Sequence, residues 1–504
     1  MRIQGRWSVL SLGLVGAITG CGSVGGIPVA SGTSGGSSEG NGSGETPTAD
    51  DGASTVSVSD TTTDGMGDGC ESPCEPGHTC EFDGTDFHCT CAPDPGACPS
   101  GTTCDEEGIC SGLVWPNAQS FANSDPWLVE HHQEITQLRP RVLAINYVNA
   151  RSMEQMNAQL IEVRDLLAES SRWHGYADPD APPFVEYSLA YQVDLRDEQE
   201  PPGWPYNNST AYPREDPQEG SWGFDYERLF DADHADVLGI EDPRQPGTNL
   251  RLCDAIELGL VHEVWIYGDA DVPDVSAAEM LELKPHYDED GNRLPGAMNR
   301  CAGNGCFDAE DVIPCGRSVR VAWFNNTRGP GCFLESVSHA FEGMGRKGGN
   351  ILPYLSRYFP ELAGMQLDDD HGLPVDNWYA CPYGDVCLSY PGPTTVDYAV
   401  SESVSGTLRD YDPVCGNVHW PPNARQHYDL AGTDAVQTSC THWRDGSGAT
   451  TVYDGSAHTA YAAVAPDCMG PFLMWWRQNL PGLDNGALDD DGAPMLNFWP
   501  FLFY

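Results

Sequence analysis

Two stretches of this 504-residue chain hold side chains whose types and spacing could do chemistry. In the first, Glu335, His339 and Glu342 stand at positions i, i+4 and i+7 of a run with helical periodicity. Residues so spaced share one face of a helix. An imidazole between two carboxylates could hold a divalent metal, or place a carboxylate beside an imidazole for acid–base work. The competing reading is a solvated helix face with local ion pairs. The second stretch is Cys415-Gly-Asn-Val-His-Trp-Pro-Pro-Asn-Ala-Arg-Gln-His-Tyr-Asp429. Pro421 and Pro422 restrict the backbone between His419 and Asn423, so side chains there are held at little entropic cost. His419 is the candidate base for chemistry near neutral pH, with Asn417, Asn423 and Arg425 as binding groups. The bland alternative is that His419 merely hydrogen-bonds its own loop.

These residues need a scaffold, and the pattern supplies one. Residues 141–148 form a near-continuous apolar run, as expected for a strand buried on both faces of a parallel sheet. A capping-box pattern, Ser152-x-x-Gln155, then opens a helix with Met153, Met156, Leu160, Val163 and Leu167 at helical spacing. Further strands are read at 184–195, 263–268 and 318–324, with helices at 250–258, 332–344 and 467–480 and a closing strand at 495–504. In the 332–344 helix, Leu334, Val337, Phe341 and Met344 form the core stripe. This alternation predicts an α/β fold with a mainly parallel sheet, flanking helices and long disulfide-stapled loops, over one domain at 114–504. Ligands of such sheets gather outside the carboxyl ends of the strands. Those ends hold Asn146, Asp269 with Asp271, and Asn325 with Asn326. Asp269, Glu335 and His419 are therefore the expected catalytic set, and Asn146 and Asn325 further binding residues. Turn and cap roles are the ordinary alternative for Asn and Asp at such ends.

Other motifs fail on context. Gly343-Met-Gly345-Arg-Lys-Gly348 follows a helix and not a strand, so it is no dinucleotide fingerprint. Gly32-Thr-Ser34-Gly-Gly36 lies in a Gly/Ser-rich stretch and is no hydrolase elbow. The acidic turns at 288–291, 368–370 and 489–492 lack a full calcium loop. A formal net charge of −50 excludes the usual electrostatic route to nucleic acid.

The segments Glu263-Val-Trp-Ile-Tyr-Gly268, the Glu335 helix and Cys415 to Ala424 together resemble a family of exported bacterial proteins, some fungal, that is uncharacterised. The resemblance spans roughly 140–480. It implies a shared domain and carries no activity, substrate or catalytic residue. Where such proteins continue that helix as Gly-His-Arg, this chain reads Phe341-Glu-Gly-Met-Gly, which weakens the metal reading of Glu335, His339 and Glu342.

The N-terminus gives an address. Arg2 and Arg6 precede a short apolar core, and Ile18-Thr-Gly-Cys21 resembles the lipobox of bacterial lipoproteins, with Cys21 as the lipidated residue. An ordinary cleaved signal with a chance cysteine is the alternative. Residues 22–69 hold no aromatic residue, Lys or Arg and read as a disordered tether. Residues 70–110 form a Cys-rich, EGF-like module with Cys70, Cys74, Cys80, Cys89, Cys91, Cys98, Cys104 and Cys110. The globular part adds Cys253, Cys301, Cys306, Cys315, Cys332, Cys381, Cys387, Cys415, Cys440 and Cys468. Both sets are even, as expected for disulfides in an exported protein, and no C-x2-C knuckle points to zinc. The expected partners are a membrane, through the lipid anchor, and an extracellular polymer or protein. The expected location is the cell surface or outer membrane. Two functions follow: a hydrolase acting on an extracellular polymer, plausibly carbohydrate, by acid–base chemistry without an expected cofactor, or a non-catalytic surface protein that binds a glycan or protein.

Overall fold

Arg141–Asn146 (β1) buries every residue after Arg141, and its successive side chains enter two different cores. Val142 and Ala144 join one apolar cluster, while Leu143 and Ile145 join the other. A strand alternates its side chains between the two faces of a sheet, so a sheet covered on both sides needs an unbroken apolar run. The same division recurs in Glu263–Gly268 and Val319–Asn325: Trp265, Tyr267, Ala322 and Phe324 face one core, and Val264, Ile266, Val321 and Trp323 the other.

The computed structural model describes residues 110–117, 120, 125–196, 221–268, 280–307, 313, 315–349 and 351–504, with short strands at 79–82, 87–90, 103–104, 214–216 and 275–276. The signal segment with Cys21, the tether, most of the Cys-rich module, Asp269 and Asp271 lie outside the described residues. The central sheet comprises β1, Ser188–Asp194 (β2), Glu263–Gly268 (β3), Met280–Tyr287 (β4), Arg293–Asn299 (β5) and Val319–Asn325 (β6). Its spatial order is β5-β4-β6-β3-β1-β2. The neighbours from β6 to β2 run parallel, and β4 and β5 extend the sheet antiparallel. The α/β class with a mostly parallel sheet thus stands.

Helix Met153–Ser170 (α1) begins with the expected capping box, Ser152 and Gln155 each satisfying the other's backbone N–H. It shares the first core with Pro330–Met344 (α3), Pro353–Leu362 (α4) and Gly470–Arg477 (α5), while the short Leu252–Glu257 (α2) packs into the second. The closing strand expected at 495–504 does not form. The chain there makes a 3-10 turn, Trp499–Leu502, because Pro500 has no N–H for a ladder and the flanking aromatic residues all bury in the first core. A third, smaller core, which includes Leu388, Val396, Trp378, Tyr411 and Trp420, sits under the antiparallel meander Leu388–Gly392 (β7), Thr395–Ser401 (β8) and Val404–Arg409 (β9). Trp420 and Ala424 belong to that core, so it carries the His419 loop.

Candidate functional site

Helix α3 is fixed at its first turn by a distant carboxylate. Asp467 accepts hydrogen bonds from the backbone N–H groups of Gly329 (2.7 Å) and Gly331 (3.0 Å), doing the work of a helix cap. The disulfide Cys332–Cys468 ties the same turn to the same segment. The adjacent Met469 N–H donates to Glu335 Oε2 at 3.2 Å, which orients that carboxylate.

The His419 loop is held onto α3 from the other side. Its start is stapled by Cys415–Cys440. Gly416 has φ +70°, and a Cβ there would stand 2.1 Å from the Trp420 carbonyl oxygen, so only glycine fits. Asn417 and Trp420 exchange backbone hydrogen bonds across the tight turn that presents His419. Trp476 Nε1 donates to the Gly416 carbonyl at 2.9 Å, and Val418 N–H donates to Glu342 Oε1 at 3.1 Å.

These constraints bring Glu335, His339 and His419 together, with one donor atom from each lying within 4.8 Å of the others. Glu335 Oε1 is 3.5 Å from His419 Nε2, and the two imidazole rings meet edge to face with centroids 5.0 Å apart. Glu335 and His419 are only 8% and 6% exposed, which overturns the solvated-face reading of this helix. Glu342 plays a different part from the expected one. Its carboxylate is not part of the shared donor set and accepts from His339 Nδ1 (2.7 Å), the Tyr379 hydroxyl (2.8 Å) and Val418 N–H. Burial opposes its ionisation, but the His339 charge and these hydrogen bonds outweigh it and hold the carboxyl below its ordinary value. Glu342 therefore orients His339, as carboxylates behind metal-binding histidines do.

Three aromatic side chains complete the surroundings. The Tyr428 hydroxyl lies 3.0 Å from His419 Nε2, and Tyr428 holds φ +62°, a left-handed conformation unfavourable for a bulky residue. Tyr383 stacks on His427 with centroids 4.1 Å apart, and both Tyr383 and Tyr428 are exposed, marking the solvent side of the cluster. Tyr379 stands behind, its hydroxyl kept protonated by burial and by Glu342. The sequence reading missed all three tyrosines.

The other expected residues serve elsewhere. Asn146 accepts from Val148 N–H and donates to the Arg151 carbonyl, closing the turn after β1. Asn325 accepts from Thr327, and Asn326 donates to the Gly268 carbonyl, so the carboxyl edge of the sheet is knit to itself. Asn423 is fully buried and donates to the carbonyls of Gly432 and Asp434. Arg425 pairs through two nitrogens with Asp429. These bonds run to neighbouring loops and not to the cluster. Asp269 lies outside the described residues.

Two imidazoles and one carboxylate form a donor set that suits zinc in hydrolases or non-haem iron. A tetrahedral ion with bonds of about 2.1 Å sets its donors roughly 3.4 Å apart, and Glu335 Oε1 to His419 Nε2 is already 3.5 Å. A second grouping, Cys332, Asp467 and Cys468, offers no thiolate because its cysteines are bonded to each other. In comparisons with known proteins, no family model, curated protein or solved structure matches this chain.

Proposed function

We propose that the chain is an exported, lipid-anchored hydrolase whose centre is a divalent metal held by Glu335, His339 and His419. One observation carries this reading: the α3 side chains Glu335 and His339 converge with His419 from a distant loop, one donor atom from each within 4.8 Å, with Glu342 behind His339. A metal at that place would lower the pKa of a bound water towards neutrality, supplying the nucleophile without a separate base. The Tyr428 hydroxyl, beside His419, is placed to hydrogen-bond an oxygen of a substrate bound there. Exposed Tyr383 and Tyr428 offer rings on which a sugar can stack, which favours a polysaccharide or peptidoglycan substrate.

The same rings would serve a binding protein equally well, so the metal decides between the two functions. The purified secreted form should hold about one equivalent of zinc or iron and cleave a member of a polysaccharide and peptidoglycan panel. Chelation should abolish cleavage, and the metal should restore it. Glycan binding that survives both chelation and His419→Ala, with no cleavage, would favour the binding reading instead.

The address is part of the proposal. Five disulfides suit an oxidising compartment, and among the described residues no helix is long and apolar enough to cross a membrane. An acylated Cys21 would provide the attachment to the cell surface or outer membrane. Cys21→Ser should then release the protein from membranes or block its maturation; unchanged partition into lipid would refute the anchor.

A further inference from the structure

His339 and His419 are held in different ways. His339 is fixed from behind, its Nδ1 bonded to Glu342, so that an ion would meet its Nε2. His419 has no support of that kind, for its Nδ1 is buried without a hydrogen-bond partner. Its ring hydrogen bond is at Nε2, the nitrogen 3.5 Å from Glu335 Oε1, and the partner there is the Tyr428 hydroxyl at 3.0 Å. Histidines that bind metals usually give the far nitrogen to an orienting group. Tyr428 instead stands at the near one, on the side where the ion belongs.

The backbone keeps Tyr428 in that place. Tyr428 N–H donates to the His419 carbonyl at 3.1 Å, so the two residues are joined through main chain as well as side chain. Arg425 bonds Asp429 through both its backbone N–H and its guanidinium, which braces the turn that carries Tyr428. Tyr428 takes φ +62°, a conformation that bulky residues adopt chiefly where function requires it. Burial does not offset the cost, since Tyr428 is 41% exposed.

The spacing suits a ligand. An ion about 2.1 Å from two donors that stand 3.5 Å apart sees them at an angle of about 113°, and donors 3.0 Å apart at about 91°. The first angle is near the tetrahedral value, and the second belongs to the five-coordinate geometry that zinc also accepts. Glu335, His339, His419, Tyr428 and one water would make that set, so the water that hydrolysis needs keeps its position. A ligating Tyr428 oxygen can still accept a hydrogen bond from a sugar hydroxyl on the solvent side.

We propose that Tyr428 is a further ligand of the metal, its oxygen completing the set of Glu335, His339 and His419, an inference that rests on the metal centre itself. As the metal–oxygen bond forms, the hydroxyl proton passes to water and no electron is transferred. Ferric iron bound by a phenolate absorbs strongly in the visible by charge transfer, and imidazole and carboxylate ligands give no such band. The purified protein loaded with about one equivalent of ferric iron should show the band. Tyr428→Phe should keep the iron and lose the band, and Tyr383→Phe should keep both. With zinc, competition against a chelator of known affinity should show Tyr428→Phe binding at least about tenfold more weakly, the least effect of removing a group behind a ligand. The Tm of the metal-free variant should stay close to that of the parent, because Phe keeps the ring. Iron bound without the band, a band that survives Tyr428→Phe, or a zinc affinity indifferent to that change would overturn Tyr428 as a ligand and leave the three-residue centre standing. Failure of the parent to bind either ion would instead remove the centre, and the role of Tyr428 with it.

Discussion

Glu342 and Asp125 show how one buried carboxylate can be put to use and another merely tolerated. Glu342 receives three hydrogen bonds and orients His339. Glu342→Gln keeps the shape but removes the charge that fixes the imidazole. Metal affinity should fall by about 10- to 100-fold, as for carboxylates behind ligating histidines elsewhere. Competition against a chelator of known affinity measures this, and unchanged affinity would return Glu342 to a purely structural role. Asp125 has no such support. One of its oxygens lacks a partner and the other accepts a long 3.4 Å bond from Ser318 N–H. Burial raises its pKa from 3.8 to about 6, against the pull of Lys284, Arg317 and Arg293. A raised carboxyl binds its proton more tightly folded than unfolded, so wild-type stability declines as pH climbs from about 4 to 6. Asp125→Asn should therefore be more stable than the parent by about 1–3 kcal/mol at pH 8 and gain nothing at pH 3.5. Urea unfolding at the two pH values checks the sign. Residue chemistry was legible where spacing along one helix or one loop sufficed: Glu335, His339 and His419 could be nominated from the sequence. Glu342 was placed in the wrong role, because a helix face does not reveal which carboxylate a folded loop will cover. Tyr379 and Tyr428 were missed because their contacts depend on how distant segments dock.

Helices and strands differ in how much of their setting the sequence carries. Strands β1, β3 and β6 were readable because burial on both faces demands an unbroken apolar run. Strand β4 was not, since Glu282 and Lys284 interrupt its pattern. In the fold both are buried: Glu282 pairs with Lys284 and with Arg320, and Arg320 also meets Glu263 at 2.6 Å. Local propensity cannot foresee a charge whose partners lie on other strands. Helix α3 was readable from its stripe, but its cap was not, for Asp467 is 138 residues from Gly329. That remote cap makes the helix and the site stand together. A Cβ on Gly331 would meet the Asp467 carbonyl oxygen at 2.4 Å, so the two segments are in close register. Asp467→Ala should cost about 1–2 kcal/mol, the range of a lost cap. It should also weaken metal binding, because Met469 N–H would no longer be held against Glu335 Oε2. A loss of stability with metal affinity intact would separate the cap from the site.

Across the whole molecule, the cross-links divide the labour between stability and function. Among the described residues ten cysteines form five disulfides, with sequence separations from 5 to 136. An even cysteine count in an exported chain foretold their existence, but not their pairing, which depends on which loops the core brings together. A cross-link restricts the unfolded chain more when it closes a longer loop. Cys332–Cys468, with a separation of 136, should contribute about 5 kcal/mol on that account. Cys381–Cys387, with a separation of 6, should contribute about 2 kcal/mol. Their places in the site run the other way. The short link holds the turn between Tyr379 and Tyr383, and its Cys381 carbonyl meets His427 Nε2 at 2.9 Å, under the ring on which Tyr383 stacks. Replacing both cysteines of the short link by serine should therefore lower substrate turnover or binding markedly and the unfolding free energy by about 2 kcal/mol. Replacing Cys332 and Cys468 should lower the unfolding free energy at least twice as much, and loosen the metal through the first turn of α3. Urea unfolding and metal competition on the two double variants read these effects side by side. Equal losses of stability would mean that the unfolded chain is already too compact for loop length to matter. Full activity without the short link would remove Tyr383 and His427 from the substrate's path and leave the Glu335 centre to act without an aromatic shelf.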